Sequence, residues 1–158
     1  MDRSPTMRPL TWRRLTPSET SLAREVFGDG LDAARVRILA LPVWPRAFVA
    51  GPSLIAWPAV AARVDFGGAP LLIQATLVHE LTHVWQAQRG VFLPLAKLRA
   101  GDSPRSYAYD LPCGAPFAAL NIEQQAMIVQ HAFLASRGAE APFARRLYTE
   151  LESGWRSV

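Results

Sequence analysis

Cysteine occurs once in these 158 residues, as Cys113, so neither an internal disulfide nor a multi-thiolate zinc knot can organise the fold. Lysine also occurs once, as Lys97, and nearly the whole basic complement is arginine. No run approaches the ~20 apolar residues of a membrane helix, which argues against a membrane partner. The start, Met1-Asp2-Arg3-Ser4-Pro5, lacks the apolar core of a secretory signal. The expectation is therefore cytoplasmic synthesis without a signal peptide. Internal repeats and low-complexity linkers are absent as well. With 50% hydrophobic and 19% charged residues the chain is too apolar for disorder and too charged for a membrane protein. At this length a single domain buries roughly 68–70% of its unfolded surface, so its core needs no metal or disulfide to form.

The net charge of +4 is thinly spread. Arg3, Arg8, Arg13 and Arg14 crowd the first fourteen residues, and the remaining bases alternate with acids. A nucleic-acid-binding arm is one reading of that cluster. A solvated, frayed terminus is the plainer one, and it sets the expected organisation: a flexible basic tail over 1–14 and one domain over 15–158.

Thr16-Pro17-Ser18-Glu19 predicts a helix start, with a reciprocal Thr16/Glu19 capping box and proline at the first helical position. Gly28 and Gly30 would end that helix. Arg35 to Leu39 alternates polar and apolar residues as a half-buried strand does. Ala47–Ala50 and Ser53–Trp57 flank Gly51-Pro52 as a plausible hairpin. Pro42, Pro45, Pro52 and Pro58 confine these strands to the edges or ends of a small antiparallel or mixed sheet. Helical periodicity returns from Pro70 to Arg89, from about Asn121 to Arg137, where Asn121 caps with Gln124 three residues on, and from about Pro142 to Gly154. The proline- and glycine-rich stretch 91–117 between them reads as an irregular excursion. The fold class is α+β, with a small sheet beside a central helix.

That central helix carries His79-Glu80-Leu81-Thr82-His83. Histidines at i and i+4 lie on one helical face, about 6 Å apart along the axis, so both imidazoles can address one ion. Glu80, turned about 100° from His79, reaches beside the ion, where it can take a proton from a metal-bound water. A catalytic zinc usually has a third protein ligand. Glu123 is favoured, because it begins a second helix forty residues after His83, and a helix positions a ligand better than a loop does. Asp102, Asp110 and His131 are the alternatives. His131 stands about 12 Å along the helix from Glu123 and roughly 80° around it, and reads more plainly as the partner of a neighbouring carboxylate. A peptidase also needs an oxyanion donor. Tyr109 is the candidate, with Tyr107 and Arg105 behind it, against the plainer reading of aromatic packing. By resemblance to zincins, an extended substrate would add to an exposed edge strand, for which Ser53–Trp57 is a candidate.

Leu77 to Gln86, taken with Asn121-Ile122-Glu123-Gln124-Gln125-Ala126, resembles a gluzincin-type zincin. It is also similar to small bacterial proteins described as vgr-related, and to the zincin-like core domain found with contractile injection systems. The resemblance to vgr-related proteins runs from Leu15 to Phe133. It implies a minimal zincin-like domain, a Zn2+ cofactor on His79, His83 and Glu123, and Glu80 as general base. It further implies hydrolysis of a peptide or protein substrate, association with a bacterial secretion system, and export by it. The alternative is a catalytically weak or silent zincin-fold binding or scaffold module of such a system. One departure stands out. Many gluzincins place an acid four residues after the ligand glutamate to orient a histidine, and here that position is Met127. Another partner, such as a backbone carbonyl, Gln124 or Asp110, would have to do so.

Overall fold

The computed structural model describes residues 5–112 and 114–156, so Arg3 and Cys113 lie outside the described residues. Four strands and six helices follow one another: β1 Trp12–Arg14, α1 Pro17–Phe27, β2 Arg37–Leu41, β3 Phe48–Val49, β4 Leu54–Pro58, α2 Leu71–Gln88, α3 Leu93–Ala100, α4 Pro104–Tyr107, α5 Ile122–Ser136 and α6 Arg145–Leu151. The fold is α+β, as the alternation of periods requires.

The sheet is mixed, in the order β1-β2-β4-β3. β1 runs antiparallel to β2, β2 parallel to β4, and β3 antiparallel to β4. The expected hairpin around Gly51-Pro52 is present, with Phe48 opposite Ala56. The expected edge is not. Ser53–Trp57 falls largely in β4, which lies between β2 and β3, and the outer strand on that side is Phe48–Val49. The burial of β4 gives the reason. Ile55, Ala56, Trp57 and Pro58 are buried in succession, and a strand covered on both faces belongs in the middle of a sheet.

The expected flexible tail is also corrected over its described part. Trp12–Arg14 pairs with β2, Met7 is buried, and its amide donates to the Ala62 carbonyl at 2.7 Å. Glu19 explains the ordering. Its carboxylate is fully buried, closes the capping box with the Thr16 amide at 2.8 Å, and accepts from the Phe66 amide at 2.8 Å. A buried carboxylate demands a cation, and Arg13 supplies it through two bonds of 2.7 Å.

The predicted helices form at α1, α2 and α5, and α5 carries the expected Asn121/Gln124 capping box. The last helix begins later than expected, at Arg145. The stretch read as irregular holds two helices, because Pro94 and Pro104 stand in first turns, where a missing N–H costs nothing. α2 packs along α5, and Leu77, Leu81, Ala126 and Ile128 between them are fully buried. Each such leucine or isoleucine contributes about 1.5–3 kcal/mol. Tyr148 and Trp155 join the same buried core, and this helix pair is the frame on which the polar cluster sits.

Candidate metal centre

His79 and His83 occupy successive turns of α2, with ring centroids 4.9 Å apart and planes at 81°. α5 begins opposite them, and its first turn delivers Glu123, 1% exposed, between the two rings. Glu123 Oε2 lies 3.4 Å from His79 Nε2 and 3.3 Å from His83 Nε2. These separations are long for hydrogen bonds. They match the roughly 3.3 Å between ligand atoms that each stand about 2.0–2.1 Å from a tetrahedral zinc. The ligand atoms of the three residues lie within 4.8 Å of one another.

The opposite nitrogen of each ring is held by a glutamine. His83 Nδ1 is 2.8 Å from Gln86 Oε1, and His79 Nδ1 is 3.0 Å from Gln130 Oε1. Gln86 Nε2 donates to the Ile122 carbonyl and to Gln125 Oε1, both at 2.9 Å. The amide can therefore offer only its oxygen to the ring. When the ring is neutral, as a metal ligand must be, His83 then carries its proton on Nδ1 and presents the Nε2 lone pair on the side of Glu123. These two glutamines do what an acid at position 127 would have done. Met127 lines the cavity instead, and Gln124, proposed for that role, caps Asn121 and donates to the Ala108 carbonyl at 2.6 Å.

Burial alone would push the Glu123 carboxyl up. The close approach of the His79 and His83 rings, the charge on His83 and the neighbouring Lys97 outweigh it, and hold the group ionised far below the usual range. Burial likewise pushes His83 down, but the adjoining Glu123 carboxylate, then the charge of Glu80, carry it above its ordinary value. Lys97 Nζ stands 3.1 Å from Glu123 Oε1, an ion pair without hydrogen-bond alignment, so this buried oxygen keeps a free lone pair. Two imidazole nitrogens and one buried anionic oxygen fit a divalent cation such as zinc. Glu80 lines the same cavity, along with Arg46, Thr76 and Tyr107.

His79, Glu80, His83 and Glu123 are thus brought together, and the alternatives are not. Asp102 accepts from Arg46 at 2.6 Å and from the Tyr107 hydroxyl at 2.7 Å. Neither Asp102 nor Asp110 belongs to the cluster found among the described residues. His131 is bound, but to the Tyr109 hydroxyl at 2.6 Å rather than to a carboxylate. Tyr109 is turned away from the cavity. Its hydroxyl also meets Tyr148 at 2.8 Å, and burial, then the bond with Tyr148, raises its pKa far above the ordinary tyrosine value. Tyr107 is the phenol that faces the cavity. Arg105 is exposed. Gln86, Gln130 and Lys97 were not read from the sequence. Gln86 was within reach, being three residues past His83 on the same helix.

No family model matches the chain. Among curated proteins it is 34% identical over 134 residues to the type VI secretion system spike protein VgrG2b of Pseudomonas aeruginosa. The match takes in 77% of this chain and 13% of that protein, so the chain spans about an eighth of its relative's length. Among solved structures it superposes on the effector domain of Pseudomonas aeruginosa VgrG2b with a TM-score of 0.69 and 30% identity, over 99% of this chain and 88% of that one.

Proposed function

Because the chain belongs to the family of the VgrG2b effector domain, we propose that it is an effector module of a type VI secretion system whose chemistry is metal-dependent peptide hydrolysis on a minimal zincin-like site. The observation that carries the hydrolytic reading is the convergence of His79 Nε2, His83 Nε2 and Glu123 Oε2 beside Glu80. A divalent cation held by these three residues would supply Lewis acidity, lowering the pKa of water and polarising a carbonyl. Gln86 fixes the tautomer of a neutral His83, Gln130 holds the His79 ring at its other nitrogen, and Lys97 pairs with the oxygen of Glu123 that faces away from the rings. The Glu80 carboxylate, at the cavity wall, takes the proton of the attacking water and returns it to the leaving amine. Arg46 lines the cavity and would meet a polarised carbonyl there, and Tyr107, whose hydroxyl donates to Asp102 at 2.7 Å, would do so once that bond opens.

A second reading has its own support. Kinship with a spike protein's effector domain speaks directly for association with the secretion assembly. Neutral amides also strengthen an imidazole ligand less than carboxylates do. A binding or scaffold module that keeps the metal site without turnover fits both observations.

The experiment measures metal by mass spectrometry on untagged protein, then cleavage of quenched-fluorescent peptides. Glu80→Gln is expected to keep stoichiometric zinc and to lose 10²–10⁴-fold in hydrolysis. Cleavage by that variant at the wild-type rate would refute Glu80 as the base. A zinc-loaded wild type that cleaves nothing would leave the scaffold reading standing.

A further inference from the structure

Three aliphatic side chains stand far out of the surface around the sheet: Val43 is 102% exposed, Val60 91% and Leu10 71%. Val43 and Val60 border a shallow hollow of about 410 Å³, walled by apolar residues alone, where Pro9, Leu41 and Trp44 also meet. The backbone is strained to present two of them. Leu10 and Val43, at φ 61° and 57°, are the non-glycine residues with positive φ among the described residues. A β-branched side chain rarely adopts that conformation, and strain of this kind collects at functional surfaces.

The charge beside these tips has one sign. Residues 5–18 and 33–64, which build the sheet and its loops, include arginines but no aspartate or glutamate. Arg13 is engaged by Glu19 and Arg46 by Asp102, both from outside those ranges. Arg14 and Arg37 are exposed and face each other across β1 and β2, an arrangement of like charges that destabilises a sheet and that an overlying anion would relieve. Alternation along β2 puts Arg37, Leu39 and Leu41 on one face. Trp12, opposite Leu39, has the Arg37 guanidinium 4.9 Å over its ring. Leu41 carries that face into the hollow. One surface thus runs from paired arginines, past an exposed indole, to protruding aliphatic tips.

We propose that this end of the sheet docks on an anionic bilayer surface, with Leu10, Val43 and Val60 below the headgroups, Trp12 and Trp44 among them, and Arg14 and Arg37 against the phosphates. Each part suits its depth. Aliphatic tips gain by leaving water, tryptophan suits a boundary that is apolar on one side and wet on the other, and arginines gain from the negative surface potential. Shape favours a bilayer over a folded acidic protein. A rigid partner would need a cavity matched to the protruding Val43, whereas a fluid bilayer yields around it. The docking is peripheral, since no helix among the described residues is long and apolar enough to cross a membrane. Arg46, two residues past Trp44, lines the metal-ligand cavity, so docking would hold that cavity near the bilayer. The inference stands apart from the hydrolytic reading.

The test is flotation of the full chain with vesicles of phosphatidylcholine, alone or mixed with phosphatidylglycerol. Binding to the mixed vesicles is expected to be about 10- to 100-fold tighter, and to weaken as salt is added. Val43→Asp combined with Val60→Asp should weaken it about 10-fold or more. Arg14→Ser combined with Arg37→Ser should weaken it about 10- to 30-fold, and on the mixed vesicles only. All four side chains are exposed, so these variants should keep the wild-type Tm. Val43→Gly separates docking from folding: glycine accepts the positive φ, so Tm should not fall, while vesicle binding drops about 3- to 10-fold. No binding to the mixed vesicles at about 0.1 M salt, or binding that the paired aspartates leave unchanged, would overturn the proposal. Capture by a DNA duplex without vesicle binding would overturn it too, and would give the arginine face to nucleic acid.

Discussion

Gln86 Oε1 meets His83 Nδ1 at 2.8 Å while the same amide's Nε2 is committed to Ile122 and Gln125. The relay continues outward, since Gln125 Nε2 donates to the Phe117 carbonyl at 3.0 Å. One imidazole ring on α2 is therefore oriented by the backbone that leads into α5. Gln86→Met keeps the volume and removes the acceptor. Zinc affinity, measured by competition with a chromophoric chelator, should fall about 10–100-fold. Stability should fall by about 1–3 kcal/mol, because Gln125 and the Ile122 carbonyl lose a buried partner. Unchanged affinity would mean that packing alone holds the ring.

What was legible in the sequence was local. The capping boxes at Thr16 and Asn121 and the paired histidines depend on residues three or four apart, so spacing reveals them. Glu123 was legible at one remove, because a capped helix announces where its first turn stands. Gln130 was not, since its partner His79 is 51 residues away on another helix. Arg13 was misread because its order comes from Glu19, whose burial follows only once Phe66 closes over it. The edge strand was misread for a similar reason. Nothing in Ser53–Trp57 says that β2 pairs with it in parallel, although its unbroken apolar run was a hint.

The cluster should give the metal-free protein a distinctive pH dependence. His83 is raised above its ordinary 6.5, so its contribution is complete below that pH and is lost as pH climbs through the raised value. Glu123 is depressed below its ordinary 4.5, so its contribution is present above that pH and disappears only in strong acid. Between these two ordinary values both are in place. His131, which burial depresses below its ordinary value, works the opposite way over the same range, so the comparison is with His83→Gln. In chelator, the Tm advantage of the wild type over His83→Gln should shrink from about pH 6 to about pH 8. Saturating zinc should reverse that trend, because protons compete for the imidazoles. An advantage that grows from about pH 6 to 8 without metal would contradict the coupling of His83 to Glu123.

Arg13 anchors the first strand to the first helix. Its guanidinium reaches both oxygens of Glu19 and also the Arg63 carbonyl at 2.9 Å. Arg13→Met would leave a fully buried carboxylate without its cation. Removing one partner of a buried pair costs about 3–5 kcal/mol, and the low end applies because Arg13 keeps 18% exposure. Chemical denaturation should show a loss of about 3 kcal/mol with zinc stoichiometry intact in the folded fraction. A loss below about 0.5 kcal/mol would restore the picture of a dispensable basic tail.

Two tyrosines two positions apart have been sent in opposite directions, and the difference can be measured. Tyr109 bonds to His131 and Tyr148 beneath the surface, while Tyr107 donates to Asp102 and borders the cavity. Tyr109→Phe strips the buried Tyr148 and the half-buried His131 of a partner and should cost about 1–3 kcal/mol. Its zinc affinity and its cleavage rate per folded molecule should stay at wild-type values. Tyr107→Phe should do the reverse, with little loss of stability and a rate reduced about 10-fold or more if the phenol meets the polarised carbonyl. A Tyr109→Phe protein that folds, holds zinc and yet loses hydrolysis would return the oxyanion role to Tyr109, and would require the His131 bond to open when substrate binds.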